Sequence, residues 1–370
     1  MEYPSPIQTE MTSGPGPRSP RAQKLDPSAQ LFPPGITIEI LSRMPLKDAA
    51  RLQLVSKEWH SLIQSHYFKD RHMAHSEVLY HHHNVKTNWA HTSARCSFSF
   101  ANGRDGLLLM QHKTQNTLCL WNPATKRALE LPGPNPNSLG LSLTFSRATG
   151  SYSIVSFHRD SEKIGSEGCE VLDPCGARVW RPVLDFPEAM IVRGESHWPV
   201  VISTGEAAHC VFFAENEIGV VSLDVETDKF AASRFLPKTG RADDYWALEW
   251  EGKLVIAGVV GSNMEVKEME DHGKGRWGAE ERIVALPAWM KKEAEGGNEI
   301  VPLLVRDGEM WFWIKGCGVV FTCNVETGER TDYGTVRNFM VSTRLYPYKE
   351  SLIGFQGMVP ETMFDRFLLE

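Results

Sequence analysis

Residues Phe32–Phe68 read FPPGITIEILSRMPLKDAARLQLVSKEWHSLIQSHYF. The stretch divides into three short amphipathic pieces. Ile36, Ile40, Leu41 and Met44 stand at i, i+4, i+5 and i+8, one apolar stripe of a helix. Pro45 ends that helix, because it brings no amide donor and its ring keeps residue 44 out of the α region. Leu46, Ala49, Ala50 and Leu54 repeat at helical spacing in the second piece. Val55, Trp59, Leu62 and Ile63 do so in the third, with Ser56 as its N-cap. Three helices of about two turns each, in about forty residues, cannot bury three apolar faces. Each alone is marginal in water. The stretch therefore predicts a small helical unit whose remaining apolar face is covered by a partner chain.

Outward from this unit, composition sets limits. The chain has 370 residues, room for two domains, and a hydrophobic fraction of 42%, ordinary for a globular protein. A formal charge of −7 argues against a general nucleic-acid binder, since a phosphate backbone needs a basic face. The longest apolar run, Leu254–Val260, is strand-sized and far short of a membrane span. The first residues lack the apolar core of a signal peptide. Seven cysteines, none in a C-x-x-C pair, fit reduced thiols of the cytosol or nucleus. The expected location is cytoplasmic and/or nuclear, with no membrane partner.

Residues 1–30 are rich in Pro, Ser, Thr and Gly and too poor in apolar residues to offset the entropy of ordering, so a disordered arm is expected there. Ser5-Pro6 and Ser19-Pro20 within it fit proline-directed phosphorylation. Residues 71–96 read as a His-rich linker that also contributes a closing strand. Eight of the thirteen histidines lie between His60 and His91. They lack the spacing of a metal site, and no metal or other cofactor is expected.

From about residue 97 short runs of Val, Ile, Phe, Trp and Leu alternate with Gly, Asp and Asn, as strands do with turns. One turn recurs: LCLWNPATKRALEL at Asn122, EVLDPCGARVWRPV at Asp173, VVSLDVETDKFAAS at Asp224, VKEMEDHGKGRW at Asp271 and FTCNVETGERTDY at Asn324. The period is about fifty residues, the size of a propeller blade. A second marker leads the copies: Asp105-Gly106, Gly150-Ser151, Gly205-Glu206, Glu251-Gly252 and Asp307-Gly308. Blades are expected over 98–132, 141–183, 198–236, 245–284 and 301–336. Fragments at 77–95 and 339–356 are expected to zip into a sixth, closing the ring and removing its open edges. Five blades is the second choice. The propeller is placed at 97–356, followed by a tail at 357–370. Pro287–Glu299 interrupts the repeat and is a candidate for substrate contact or a plain loop.

Residues 31–70 resemble the F-box. The matching positions are Phe32-Pro33, Glu39-Ile40-Leu41, Arg43-Met44-Pro45, Lys47, Arg51, Val55, Lys57, Trp59 and Leu62-Ile63, without a gap. Phe32 stands where the family prefers Leu, and Pro34-Gly35 where acidic residues are usual. The later domain resembles the F-box-associated, kelch-like region of plant F-box proteins, through Gly106-Leu107-Leu108, Trp121-Asn122-Pro123-Ala124-Thr125-Lys126 and Pro132. The resemblance implies a small three-helix F-box followed by an all-β kelch-like propeller. It implies a substrate receptor of an SCF-type ubiquitin ligase, in which the F-box binds a Skp-family adaptor and, through it, cullin and a RING protein. The propeller then holds an unidentified target protein. Phe32, Pro33, Ile36, Ile40, Leu41, Pro45, Val55 and Trp59 are the adaptor-facing candidates, Trp59 being equally suited to pack the three helices together. A non-degradative scaffold or transcriptional co-regulator is the alternative.

An enzyme is not expected. There is no G-x-S-x-G elbow, no phosphate-binding Gly-rich loop and no dinucleotide fingerprint. Asp243-Asp244 are adjacent, so their side chains point apart in a strand. Trp246, Trp250, Trp311 and Trp313 alternate at period two, as core aromatics do.

Overall fold

The computed structural model describes residues 33–75, 78–80, 98–112, 114–146, 148–159, 167–187, 199–238, 245–260, 263–295, 300–306, 308–314, 318–335 and 347–361. The N-terminal arm, Phe32 and most of the His-rich linker lie outside them.

The described residues open with four helices, not three: α1 (Pro34–Ser42), α2 (Leu46–Leu52), α3 (Lys57–Gln64) and α4 (His66–His75). Pro33 and Pro45 stand at the N-caps of α1 and α2, with φ near −54° that suits a helix entry. Ser56 caps α3 by accepting the Trp59 amide at 3.1 Å, and Ser65 accepts that of Phe68 at 3.2 Å at the start of α4. α4 occupies what reads as the beginning of the linker. Its Phe68 and His72 lie one turn apart and are buried, so this helix supplies the face that three short helices lack. Leu41, Ala49, Ile63 and Phe68 form the core of this head, with Ile38, Met44, Leu52, Trp59 and Leu62 packed around them.

After a short strand β1 (Val78–Tyr80), five antiparallel four-stranded blades follow. They comprise β2 (Phe98–Arg104) to β5 (Arg127–Pro132), with β3 (Leu107–His112) and β4 (Thr117–Asn122) between; β6 (Ser138–Ser146), β7 (Ser151–Arg159), β8 (Glu167–Leu172) and β9 (Arg181–Val183); and β10 (Val200–Thr204), β11 (Ala207–Phe213), β12 (Ile218–Asp224) and β13 (Lys229–Phe235). The fourth has β14 (Tyr245–Trp250), β15 (Lys253–Val260) and β16 (Asn263–Asp271), whose outer edge is shared by β17 (Arg276–Trp277) and β18 (Arg282–Ala285). Helix α5 (Ala288–Glu295) leads to the fifth: β19 (Ile300–Arg306), β20 (Glu309–Ile314), β21 (Val319–Asn324) and β22 (Arg330–Thr335). Two short strands close the described chain, β23 (Pro347–Lys349) and β24 (Val359–Pro360).

The recurring acidic or amide residue works the same way in every blade. The Oδ1 of Asn122, Asp173, Asp224, Asp271 or Asn324 accepts amide hydrogen bonds of 2.7–3.3 Å from residues two or three further on. That bond folds the turn from third to fourth strand and fixes its register. At Asp105-Gly106 and Glu251-Gly252 both residues have positive φ, as a two-residue hairpin of right-handed strands requires. The apolar clusters lie between successive blades: Leu109, Leu120 and Leu143 between the first and second, Phe157, Cys210 and Leu223 between the second and third, and Val220, Tyr245 and Ile256 between the third and fourth. Trp250, Val266, Phe312 and Phe321 join the fourth to the fifth.

The sixth blade is a correction. The flanking fragments do meet, β1 against β23 with Val78 opposite Lys349 and Tyr80 opposite Pro347, but as a two-stranded ladder of three residues a side. The chain then leaves the ring. It crosses the first blade and adds β24 to the outer edge of β5, Val359 opposite Ala128. Chain committed to that edge is not available for further strands of a blade. The tail expected from residue 357 therefore begins inside the sheet. The insertion at Pro287–Glu299 holds α5, whose Trp289 packs edge-on against Phe321 at 4.9 Å while Met290 is buried. These two apolar residues serve the seam between the last two blades.

Candidate functional site

Two surfaces are candidates, one on the head and one on the ring. Ten large hydrophobic residues are exposed among those described, and five of them, Ile36, Ile40, Leu54, Val55 and Tyr67, fall within the head. A segment of some forty residues thus holds half of the exposed large apolar side chains among the described residues, which makes it a candidate contact surface. Ile36 and Ile40, one turn apart on α1, are each 49% exposed; Val55 is 62% and Leu54 89% exposed.

Of the expected adaptor-facing residues, Phe32 lies outside the described residues. Pro33, Ile36, Ile40, Pro45 and Val55 are exposed. Leu41 is not: at 3% exposure it sits in the head core. Trp59 is half-buried against the same core. Leu54 is the residue that periodicity misplaces. It continues the spacing of α2, but that helix ends at Leu52, so Leu54 turns outward instead of inward. Tyr67, on the fourth helix, lacks any such signal.

The flank of α1 beside Ile36 is engaged within the head. Glu39 receives hydrogen bonds from Arg43 Nε at 2.9 Å and from Arg71 Nη2 at 2.8 Å, tying α1 to α4. The two guanidinium groups hold its carboxyl down to a pKa of about 2. The buried His72 ring lies 3.0 Å from the Met44 carbonyl oxygen, and burial pushes its pKa down.

The head is seated on the ring. Leu352 packs into its core, Lys349 Nζ donates to the Met73 carbonyl at 3.2 Å, and the His66 ring stacks on Phe145 at 5.7 Å. Phe145 stands near the end of β6, paired with Tyr152 beside the turn that joins the first and second strands of the second blade, so the head meets the ring on that rim. The opposite rim carries the far ends of the second and fourth strands of the blades. Leu184 and Leu236, 75% and 71% exposed, follow directly on β9 and β13 there.

One buried constellation resembles catalytic machinery. His209 lies between Thr204 Oγ1 at 2.6 Å and Ser222 Oγ at 2.8 Å. All three residues are buried, and burial, with the nearby His272, pushes the His209 pKa down to about 3. The triplet satisfies its own polar atoms inside the third blade and has no opening to a substrate. Among the described residues no group of three or more His, Cys, Asp and Glu is placed to hold a metal ion. No helix of the described residues is long and apolar enough to cross a membrane.

Four helices seated on a ring of five four-stranded blades define a two-part protein, a helical head on a β-propeller. The F-box domain model matches residues 30–71, and the model of the F-box associated beta propeller domain matches residues 52–327. The chain belongs to the F-box proteins with an F-box-associated propeller. It is 24% identical over 293 residues to "F-box protein At5g18160" of Arabidopsis thaliana, covering 69% of this chain and 71% of that protein. "Putative F-box protein At3g23970" of the same plant is 48% identical over 45 residues, 12% of this chain and 11% of its own length. Neither matched family description names a catalytic activity. Among solved structures, the nidogen/laminin complex aligns with a TM-score of 0.40 at 8% identity, covering 68% of this chain and 84% of that one. An acylaminoacyl peptidase in complex with a chloromethyl ketone aligns at 0.38 and 10% identity, covering 66% and 46%. Likeness at this level says nothing of function.

Proposed function

We propose that this chain is the substrate-recognition subunit of an SCF-type E3 ubiquitin ligase. The head binds a Skp-family adaptor, and through it cullin and a RING protein; the ring binds a target protein. The observation that carries the reading is the concentration of exposed apolar side chains on an F-box head. Pro33, Ile36, Ile40, Pro45 and Val55, joined by Leu54, form the adaptor-facing set, and Phe32 precedes them in sequence. Leu41 and Trp59 shape that face from within by packing the helices together. The rim away from the head, where Leu184 and Leu236 are exposed, takes the target, because the head occupies part of the other rim.

Such a subunit carries out no bond chemistry. It holds target lysines near a ubiquitin thioester, which raises their effective concentration and makes the encounter intramolecular. The test is co-purification of the tagged full-length chain from plant cells. Adaptor and cullin recovered together support the reading. Adaptor without cullin points to a non-degradative scaffold, and absence of adaptor at micromolar protein overturns the assignment of the head.

A further inference from the structure

The motif that distinguishes the first blade, Trp121-Asn122-Pro123-Ala124-Thr125-Lys126, faces residues 347–361, the last described segment of the chain. Asn122 is fully buried and uses both ends of its amide. Its Oδ1 accepts the Ala124 and Thr125 amides at 3.0 and 3.3 Å, as in every blade. Its Nδ2 donates to the carbonyls of Ser351 at 3.0 Å and Ile353 at 2.8 Å. An aspartate, which serves the turn at residues 173, 224 and 271, has no hydrogen to give and would set a carboxylate against two carbonyl oxygens.

The neighbouring residues bind the same segment. Trp121 Nε1 donates to Glu361 Oε2 at 3.0 Å, the Lys126 carbonyl accepts the Glu361 amide at 2.9 Å, and Arg127 Nη2 donates to the Met358 carbonyl. Gly106, at φ +77°, leaves no room for a Cβ beside the Lys349 carbonyl and the Ser351 hydroxyl. From this seat the segment reaches both ways. Leu352 enters the head core and Lys349 bonds to α4, while Met358 joins the core between the first and second blades.

We propose that Gly106 and Trp121–Arg127 form a receptor for the chain's own strap, residues 347–361, and that this clasp, with Asn122 as its positioning residue, sets how the head sits on the ring. The strap links three bodies at once: the head core, the seam of the first two blades and the outer edge of β5. The head is thereby held through a segment almost three hundred residues away in sequence, and not only through the chain that follows α4. The clasp stands by itself. Its consequence, a fixed distance between adaptor and target, rests on the ligase reading.

Hydrogen exchange read by mass spectrometry on the full chain tests it. Asn122→Asp removes two buried donors and should speed exchange in both 347–361 and α4 by at least about tenfold, leaving β10–β13 and β14–β16 as in the wild type. Leu352→Ala should loosen α4 while β5 and β24 keep their protection. Asp224→Asn, at the same turn of the third blade, should change neither the strap nor α4. Wild-type exchange in α4 of Asn122→Asp overturns the clasp. Should that variant lose protection in all its strands, Leu352→Ala decides: unchanged α4 overturns the proposal. Failure of the wild-type chain to bind adaptor would count against the ligase reading and leave the exchange result standing.

Discussion

Replacing Ile36 and Ile40 together by alanine should weaken adaptor binding without unfolding the head. Each side chain is 49% exposed, so about half of its surface remains for a partner to cover. Full burial of an isoleucine contributes about 1.5–3 kcal/mol, so the uncovered half stands for about 1 kcal/mol per residue. Losing both should cost about 2 kcal/mol, a roughly thirtyfold rise in Kd. Neither residue belongs to the head core, which is built on Leu41, Ala49, Ile63 and Phe68. The folded head should therefore survive, with α1 held to α4 by Glu39 and Arg71. Titration calorimetry of the full chain against a purified Skp-family adaptor measures the change, and hydrogen exchange in α1–α4 verifies that the head is intact. A Kd that moves by less than about threefold, with the head still protected, would refute the placing of the adaptor on this face of α1.

Two other substitutions probe what the buried residues do. Leu41→Ala empties a fully enclosed position in a very small core and should cost the head about 2–5 kcal/mol; limited proteolysis should cut within α1–α4 while the blades resist, in contrast to the Ile36/Ile40 variant. His209 should make the third blade acid-sensitive. Below pH 6.5 the unfolded chain takes up a proton that the folded chain refuses until about pH 3, so stability falls as the pH drops through that window, by roughly 3 kcal/mol between pH 7 and pH 4. Urea unfolding of the wild type and of His209→Gln at both pH values checks this: the pH-dependent loss should shrink in the variant, and an equal loss in both would exclude His209 as its source.

The propeller was legible because its punctuation is chemical. A side-chain oxygen that must catch amides two and three residues on restricts the choice to Asn and Asp, so the turn recurs visibly through strands of unrelated sequence. The blade limits read from that period agree with the observed strands to within a few residues. The ends of the ring carry no such constraint. β1 and β23 are three residues each, and β24 is two, lengths at which alternation cannot be distinguished from chance. Nothing in FQGMVPE announces that Val359 will pair with Ala128, because the partner is more than two hundred residues away. α4 was hidden for a different reason. Its two buried side chains, Phe68 and His72, are one apolar and one polar, and the abundance of histidines around them reads as a solvated linker.

The proposed adaptor face shows where periodicity stops. Ile36, Ile40 and Leu41 lie on one apolar stripe of α1, and spacing treats them alike. In the folded head the stripe is wider than the core it meets. Leu41 packs with Ile63 and Phe68 and is covered, whereas the two isoleucines stay outside that cluster and are half bare. The division is set by where the neighbouring helices cross, which a single helix cannot encode. The same holds for Asn122. Its turn role could be read from the period, but its amide donors matter only because a strap from the far end of the chain passes over it. At residue 122 the amide, and not a carboxylate, is what that distant contact requires. Asn122 is therefore one of the residues through which the strap joins the head to the first blade.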